Sequence, residues 1–128
     1  MDNRIIKLKE QGLSGDGEFV LRIGPDEMQE VALRLMMLLW EITSTVVFSD
    51  GGRVIIKVLK VDDDVSNAQV ESSHGSLVFF LGKNQVEYLL ATLLRAIANG
   101  GVASASHIHI EGLKGGAPYD LTILFEHF

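Results

Sequence analysis

Two histidines and a glutamate alternate with isoleucines near the end of the chain, in the order His107, Ile108, His109, Ile110, Glu111. In a β-strand the side chains alternate between two faces, so that the histidines and the glutamate would share one face. Two imidazoles and a carboxylate on one face could form part of a zinc or iron site. One hypothesis is therefore a metal-binding protein or a metal-dependent enzyme.

The same pattern also fits the polar outer face of an ordinary strand. Isoleucine is the better core residue, and a strand buries only one of its two faces inward. The other histidines, His74 and His127, stand at no spacing that would supply a further ligand. We therefore expect no catalytic residue, no bound metal and no cofactor, and we take His107, His109 and Glu111 as candidate binding residues.

A run of three aspartates, Asp62, Asp63 and Asp64, is the densest acidic point of a chain with a net charge of −6. Binding to a nucleic-acid backbone depends on lysine and arginine, so this balance disfavours a nucleic-acid partner. The run also lacks the alternating spacing of a calcium-binding loop. The simplest interpretation is a solvated acidic surface. A more specific interpretation is a surface that is complementary to a basic protein partner. The three aspartates are the second set of candidate binding residues.

Composition narrows the class of protein. The chain has 128 residues, of which 47% are hydrophobic, and it has no cysteine, so disulfide and thiolate chemistry are excluded. No apolar run approaches the ~20 residues that span a membrane, and the first residues lack the apolar segment of a secretory signal. These features predict a cytoplasmic protein of bacterial type with no membrane partner.

Two stretches of the chain are similar to each other at an offset of roughly 58 positions. Phe19 to Gly24 leads into an amphipathic helical pattern, as does Leu77 to Gly82, and each copy continues into two extended segments. We therefore predict a single α+β domain over residues 1–128, built from two βαββ repeats at about 17–61 and 76–128. A polar loop, 62–75, would join them. The repeats would form one antiparallel sheet with both helices packed on one face.

The first helix has more apolar surface than packing on a sheet requires. Its apolar residues cover about 220° of the helical wheel, and Met37 lies within the polar arc. The strand patterns Arg53 to Val61 and Tyr119 to Phe128 are also apolar on both faces. Either a neighbouring helix buries this surface, or a subunit interface does, where methionine and tryptophan are enriched. We predict a homodimer with Met37 and Trp40 in the interface.

The chain from Leu77 to Phe128 has the order of a strand, a leucine-rich helix, a glycine stop, the His-Ile-His-Ile-Glu strand and a last strand through Asp120-Leu121-Thr122. In this order it resembles small bacterial immunity proteins of polymorphic toxin systems. The resemblance implies a small cytoplasmic protein that neutralises a toxin by binding it, without catalysis. It covers roughly the last 50 residues and carries over no established functional residues.

Overall fold

The computed structural model describes residues 6–7, 11–14, 18–49, 55–73, 76–99 and 107–125. These residues form two helices and eleven strands, so the predicted α+β class is confirmed. In chain order the elements are β1 (Ile6–Lys7), β2 (Gln11–Ser14), β3 (Glu18–Ile23), α1 (Pro25–Leu39), β4 (Val46–Ser49), β5 (Ile55–Val61), β6 (Ala68–Ser73), β7 (Ser76–Gly82), α2 (Lys83–Ala98), β8 (His107–Ile110), β9 (Gly112–Lys114), β10 (Ala117–Pro118) and β11 (Asp120–Phe125).

The strands form two mixed sheets, so the prediction of one antiparallel sheet is wrong. The larger sheet has the order β1-β4-β5-β7-β6-β9-β10, and the smaller has the order β2-β3-β11-β8. Parallel pairs, β5 with β7 and β3 with β11, join strands from the two halves of the chain. The hydrophobic pattern of a strand indicates which face it buries but does not indicate which strand lies beside it. The exchange of strands between the halves is therefore invisible in the sequence.

Each helix connects one sheet to the other. α1 leads from β3 in the smaller sheet to β4 in the larger, and α2 leads from β7 in the larger sheet to β8 in the smaller. The two helices pack against each other, and both also contact β5. Neither helix has the length and apolar character that a membrane span needs.

The two helices begin in the same way. Gly24 and Gly82 are the N-caps, and both have extended backbones. The Gly24 N–H donates to Glu27 Oε1 at 3.4 Å, and the Gly82 N–H donates to Gln85 Oε1 at 2.9 Å. This contact from the third helical residue back to the N-cap satisfies a donor that the helix itself leaves open. The equivalence is consistent with the repeat, but the duplication itself stays a prediction.

The core lies where both sheets and both helices meet. A small apolar cavity of about 20 Å³ is lined by Val31 of α1, Leu89 of α2, Leu81 of the larger sheet and Ile123 of the smaller, among others. Because two sheets face one core, apolar strands do not by themselves require a second chain to cover them.

The polar segment 62–75 is not the plain loop that we predicted. Its second half is the strand β6, which pairs antiparallel with β7. Ala68 and Val70 are buried, whereas Gln69 and Glu71 are exposed. A short strand whose apolar residues are an alanine and a valine has a weak pattern, which explains why the sequence suggested a loop. Residues 74–75 lie outside the described ranges.

The chain changes sheets at Glu111, between β8 and β9. The Glu111 carbonyl accepts a hydrogen bond of 2.8 Å from the N–H of Ala68 in the larger sheet. Gly112 follows, and a Cβ there would clash with the carbonyl oxygen of Tyr119. The tight corner therefore requires glycine, and it turns the end of β8 toward the start of β6.

Candidate functional site

An open pocket of about 530 Å³ lies at the end of β8. Three parts of the chain form its walls: the end of β8 with Glu111, the segment 64–66 between β5 and β6, and the first turns of α2. The lining residues are Asp64, Val65, Ser66, Asn84, Gln85, Tyr88, His109, Ile110 and Glu111. The pocket therefore brings together three of the six binding residues predicted from the sequence.

The side chains of β8 alternate as predicted. Ile108 and Ile110 are buried, whereas His107 and His109 are exposed. Glu111, just after the strand, is also exposed. The two isoleucines anchor the strand in the core, and this anchoring fixes the position of the histidines on the outer surface.

His109 makes contacts through both ring nitrogens. Its Nε2 lies 3.1 Å from Asp120 Oδ2, and its Nδ1 lies 3.2 Å from Thr122 Oγ1. An ionised carboxylate only accepts, so in the neutral ring Nε2–H donates to Asp120 and Nδ1 accepts from the threonine hydroxyl. The other Asp120 oxygen, Oδ1, accepts from the Gly112 N–H at 3.1 Å. These contacts fix the orientation of the imidazole, and the threonine whose hydroxyl Nδ1 accepts from is itself buried.

The opposite wall is held by side-chain contacts from α2. The Asn84 side chain accepts from the Val65 N–H and donates to the Val65 carbonyl, both at 3.0 Å. One residue earlier, the Lys83 N–H donates to the Asp63 carbonyl at 3.2 Å. The segment that carries Asp64 is therefore attached to the start of α2 at two consecutive positions.

The charge of the pocket is negative. Within the described ranges, the carboxylates of Asp64 and Glu111 form neither a hydrogen bond nor an ion pair. None of the lining residues that the structure describes is a lysine or an arginine. Tyr88 is 57% exposed, and an exposed aromatic ring attracts a cation placed over its face. The pocket therefore offers two unpaired carboxylates and an accessible aromatic ring.

The aspartate run does not act as one group. Asp62 Oδ1 accepts from Lys60 Nζ at 3.0 Å, and Lys60 also lies 3.5 Å from Glu41 Oε1. The hydrogen bond with Lys60 lowers the pKa of the Asp62 carboxyl, and the same bond raises the pKa of Lys60. Asp63 is exposed and lies outside the pocket. Only Asp64 of the three lines the pocket.

The predicted interface residues lie at the end of α1. Trp40 is 64% exposed, and Met37 is half-buried. The Met37 carbonyl accepts from the N–H groups of Ile42 and Thr43, which ends the helix. Leu33, Met37 and Trp40 follow the spacing of one helical stripe, and this stripe is the apolar surface that α1 leaves exposed.

The other hypothesis from the sequence is a metal site at β8. Within the described ranges, no three histidine, aspartate or glutamate side chains are placed to hold a metal ion. His74 and His127 lie outside those ranges. The acidic partner of His109 is Asp120, which is not among the binding residues predicted from the sequence. Thr122 lies directly opposite His109, and Asp120 lies two residues before it on β11, because β11 pairs with β8 in this register. Register is the information that the sequence lacked.

Comparisons of the chain with protein-family models, with curated proteins and with solved structures find no match. The likeness to immunity proteins therefore stays an expectation from the sequence.

Proposed function

We propose that this chain is a non-catalytic binding protein, and that its pocket at the end of β8 receives a basic protein partner. One observation carries the proposal: two carboxylates, Asp64 and Glu111, face one pocket without a partner of their own within the described chain. Unpaired acidic groups on a surface favour a partner of opposite charge and disfavour partners of like charge. The net charge of −6 adds a general attraction for basic proteins.

Rigid walls support binding at this pocket. The contacts of Asn84 with Val65 hold the segment that carries Asp64, and the Asp120 contacts hold His109. A site that is ordered before binding loses less entropy when the partner arrives. The carboxylates are therefore presented by a surface that does not have to be ordered by the partner.

The contacts of His109 favour binding over catalysis. A general base needs a nitrogen lone pair within reach of the proton that it abstracts. The proton within reach of His109 Nδ1 belongs to the hydroxyl of Thr122, which is buried and therefore not presented to a substrate in the pocket. The residue acts in this proposal as a fixed part of the pocket wall.

The resemblance of Leu77 to Phe128 to immunity proteins suggests a particular partner. On that basis we propose that the protein acts in the bacterial cytoplasm and neutralises a toxin by covering a basic surface. The protein would form a stable complex and would leave its partner chemically unchanged.

Affinity capture from the native host tests the proposal. The captured protein is identified by mass spectrometry, produced separately and mixed with the purified chain. We expect a basic protein that forms a complex of defined stoichiometry with this chain and whose own mass does not change. Its toxicity to growing cells should be suppressed when this chain is co-expressed. An acidic partner, or a partner that is cleaved or modified on mixing, would contradict the proposal.

A further inference from the structure

The outer edge of β8 runs beside the pocket. In the smaller sheet β8 is the end strand, and within the described part of the chain its one strand neighbour is β11. An end strand presents backbone N–H and C=O groups that can pair with an added strand. His109, Ile110 and Glu111 also line the pocket, so the open edge and the two carboxylates belong to one surface.

We propose that the partner binds as an extended segment that pairs with the outer edge of β8 and places a lysine or arginine beside Asp64 and Glu111. This inference rests on the proposed function and specifies how the partner is recognised. Strand addition provides affinity through main-chain hydrogen bonds, and side-chain pockets provide specificity. Charge complementarity identifies the occupant, because the carboxylates at the end of the edge have no cation of their own in the described chain.

The alternation of β8 defines the pattern of the segment. An added strand lies about 4.8 Å away, and its side chains alternate in the same way as those of β8. Residues on the outer face would lie beside His107 and His109, which are exposed, and residues on the inner face would lie beside Ile108 and Ile110, which are buried. The segment would therefore alternate basic and apolar residues, with a basic residue near the pocket. Tyr88, exposed on the opposite wall, would contact that cation through its ring.

Nuclear magnetic resonance with three blocked peptides tests the inference on the full-length protein. The first peptide alternates arginine and valine, and the second has the same sequence with methyl groups on alternate backbone nitrogens. The third alternates glutamate and valine. We expect the first peptide to shift the amide signals of β8 in a saturable way. The second, which keeps the charge but loses backbone donors, and the third should leave those signals unchanged.

The outcomes separate this inference from the proposed function. If the methylated peptide binds as well as the first, or if the shifts lie away from β8, strand pairing is wrong. The captured partner can then still depend on Asp64 and Glu111, and the proposed function would stand. If the β8 signals change with protein concentration alone, a second copy occupies the edge, and this outcome also overturns the inference. The double variant Asp64→Asn with Glu111→Gln should bind the first peptide at least about tenfold more weakly, a loss of about 1.4 kcal/mol.

Discussion

At the scale of residues, the pocket combines side chains that hydrogen-bond to neighbouring residues with carboxylates that have no such partner in the described chain. His109 contacts Asp120 and Thr122, and Asn84 contacts Val65, whereas Asp64 and Glu111 have no partner within the described ranges. The paired residues fix the walls, and the unpaired ones carry the charge. The sequence pointed to His109 and Glu111 through their alternation with isoleucine, but it gave no signal for Asn84 or Asp120.

Replacing Asn84 with alanine tests whether the wall is ordered in advance. The change removes two hydrogen bonds to the Val65 backbone, and we expect the free energy of unfolding to fall by about 1 kcal/mol. Affinity for the partner should also fall several-fold, because the 64–66 segment would have to be ordered on binding. Urea unfolding and titration calorimetry measure the two effects.

The control is Thr92→Ala, which removes a hydroxyl bond to the Tyr88 carbonyl within α2. It should leave affinity for the partner unchanged. Equal affinities for the Asn84 variant and the wild type would show that the wall does not depend on this contact.

The pair of Asp62 and Lys60 predicts a dependence of stability on pH. The pKa of Asp62 is lowered from 3.8, so its contribution to stability is present above that pH and is lost as the pH falls through the lowered pKa. The pKa of Lys60 is raised from 10.5, so its contribution is present below that pH and is lost as the pH rises through the raised pKa. The difference in unfolding free energy between wild type and Asp62→Asn should therefore be present at neutral pH and vanish in strong acid. Because the Asp62 carboxylate is exposed to solvent, salt should also reduce the difference. A difference that persists in strong acid would contradict this assignment.

At the scale of elements, the backbone conformation of Glu41 explains why α1 ends earlier than its apolar pattern predicts. The apolar periodicity of the sequence predicts a helix that runs to about Ile42, but Glu41 has a φ of 61° and α1 ends at Leu39. A side chain with a Cβ is strained in this left-handed conformation, and glycine is the usual residue there. No glycine marks the helix end in the sequence, so the pattern alone predicted a longer helix.

Glu41→Gly tests this strain, with Glu41→Ala as the matched control. Both variants lose the carboxylate near Lys60, but only glycine relieves the strained backbone. We expect the glycine variant to be more stable than the alanine variant by about 1 kcal/mol. Equal stabilities in urea unfolding would show that the conformation of Glu41 stores no strain.

At the scale of the whole molecule, the sequence predicted the class, both helices and the strand-to-helix junctions, but not the division of strands between two sheets. Helices and their starts depend on local residues such as Gly24 and Gly82. The pairing of β5 with β7 and of β3 with β11 depends on contacts between distant segments, and many neighbours satisfy the same pattern. The pocket follows from this distant pairing, because β8, α2 and the 64–66 segment meet only in the folded chain. Its location could therefore not be predicted from the sequence.

We also predict that the exposed stripe of α1, Leu33, Met37 and Trp40, joins two copies of the chain. A standard interface buries about 800 Å² on each partner, and Trp40 is the most exposed of the large apolar residues described. Trp40→Glu should shift the protein toward the monomer in light scattering, because a charge would be buried at the contact. Leu94→Glu changes an exposed apolar position on α2. It should leave the oligomeric state measured by light scattering unchanged. If the wild-type protein stays monomeric at high concentration, the prediction of a dimer is wrong.

The central claim is that the pocket, and not acidity in general, binds the partner. Two double variants with the same change in net charge test it by titration with the captured protein. Asp64→Asn with Glu111→Gln removes the pocket carboxylates, and Asp63→Asn with Glu71→Gln removes exposed carboxylates outside the pocket. We expect the pocket variant to lose at least about tenfold in affinity, while the control stays close to the wild type at physiological salt. Equal losses in the two variants, or no loss in the pocket variant, would contradict the assignment of the binding site.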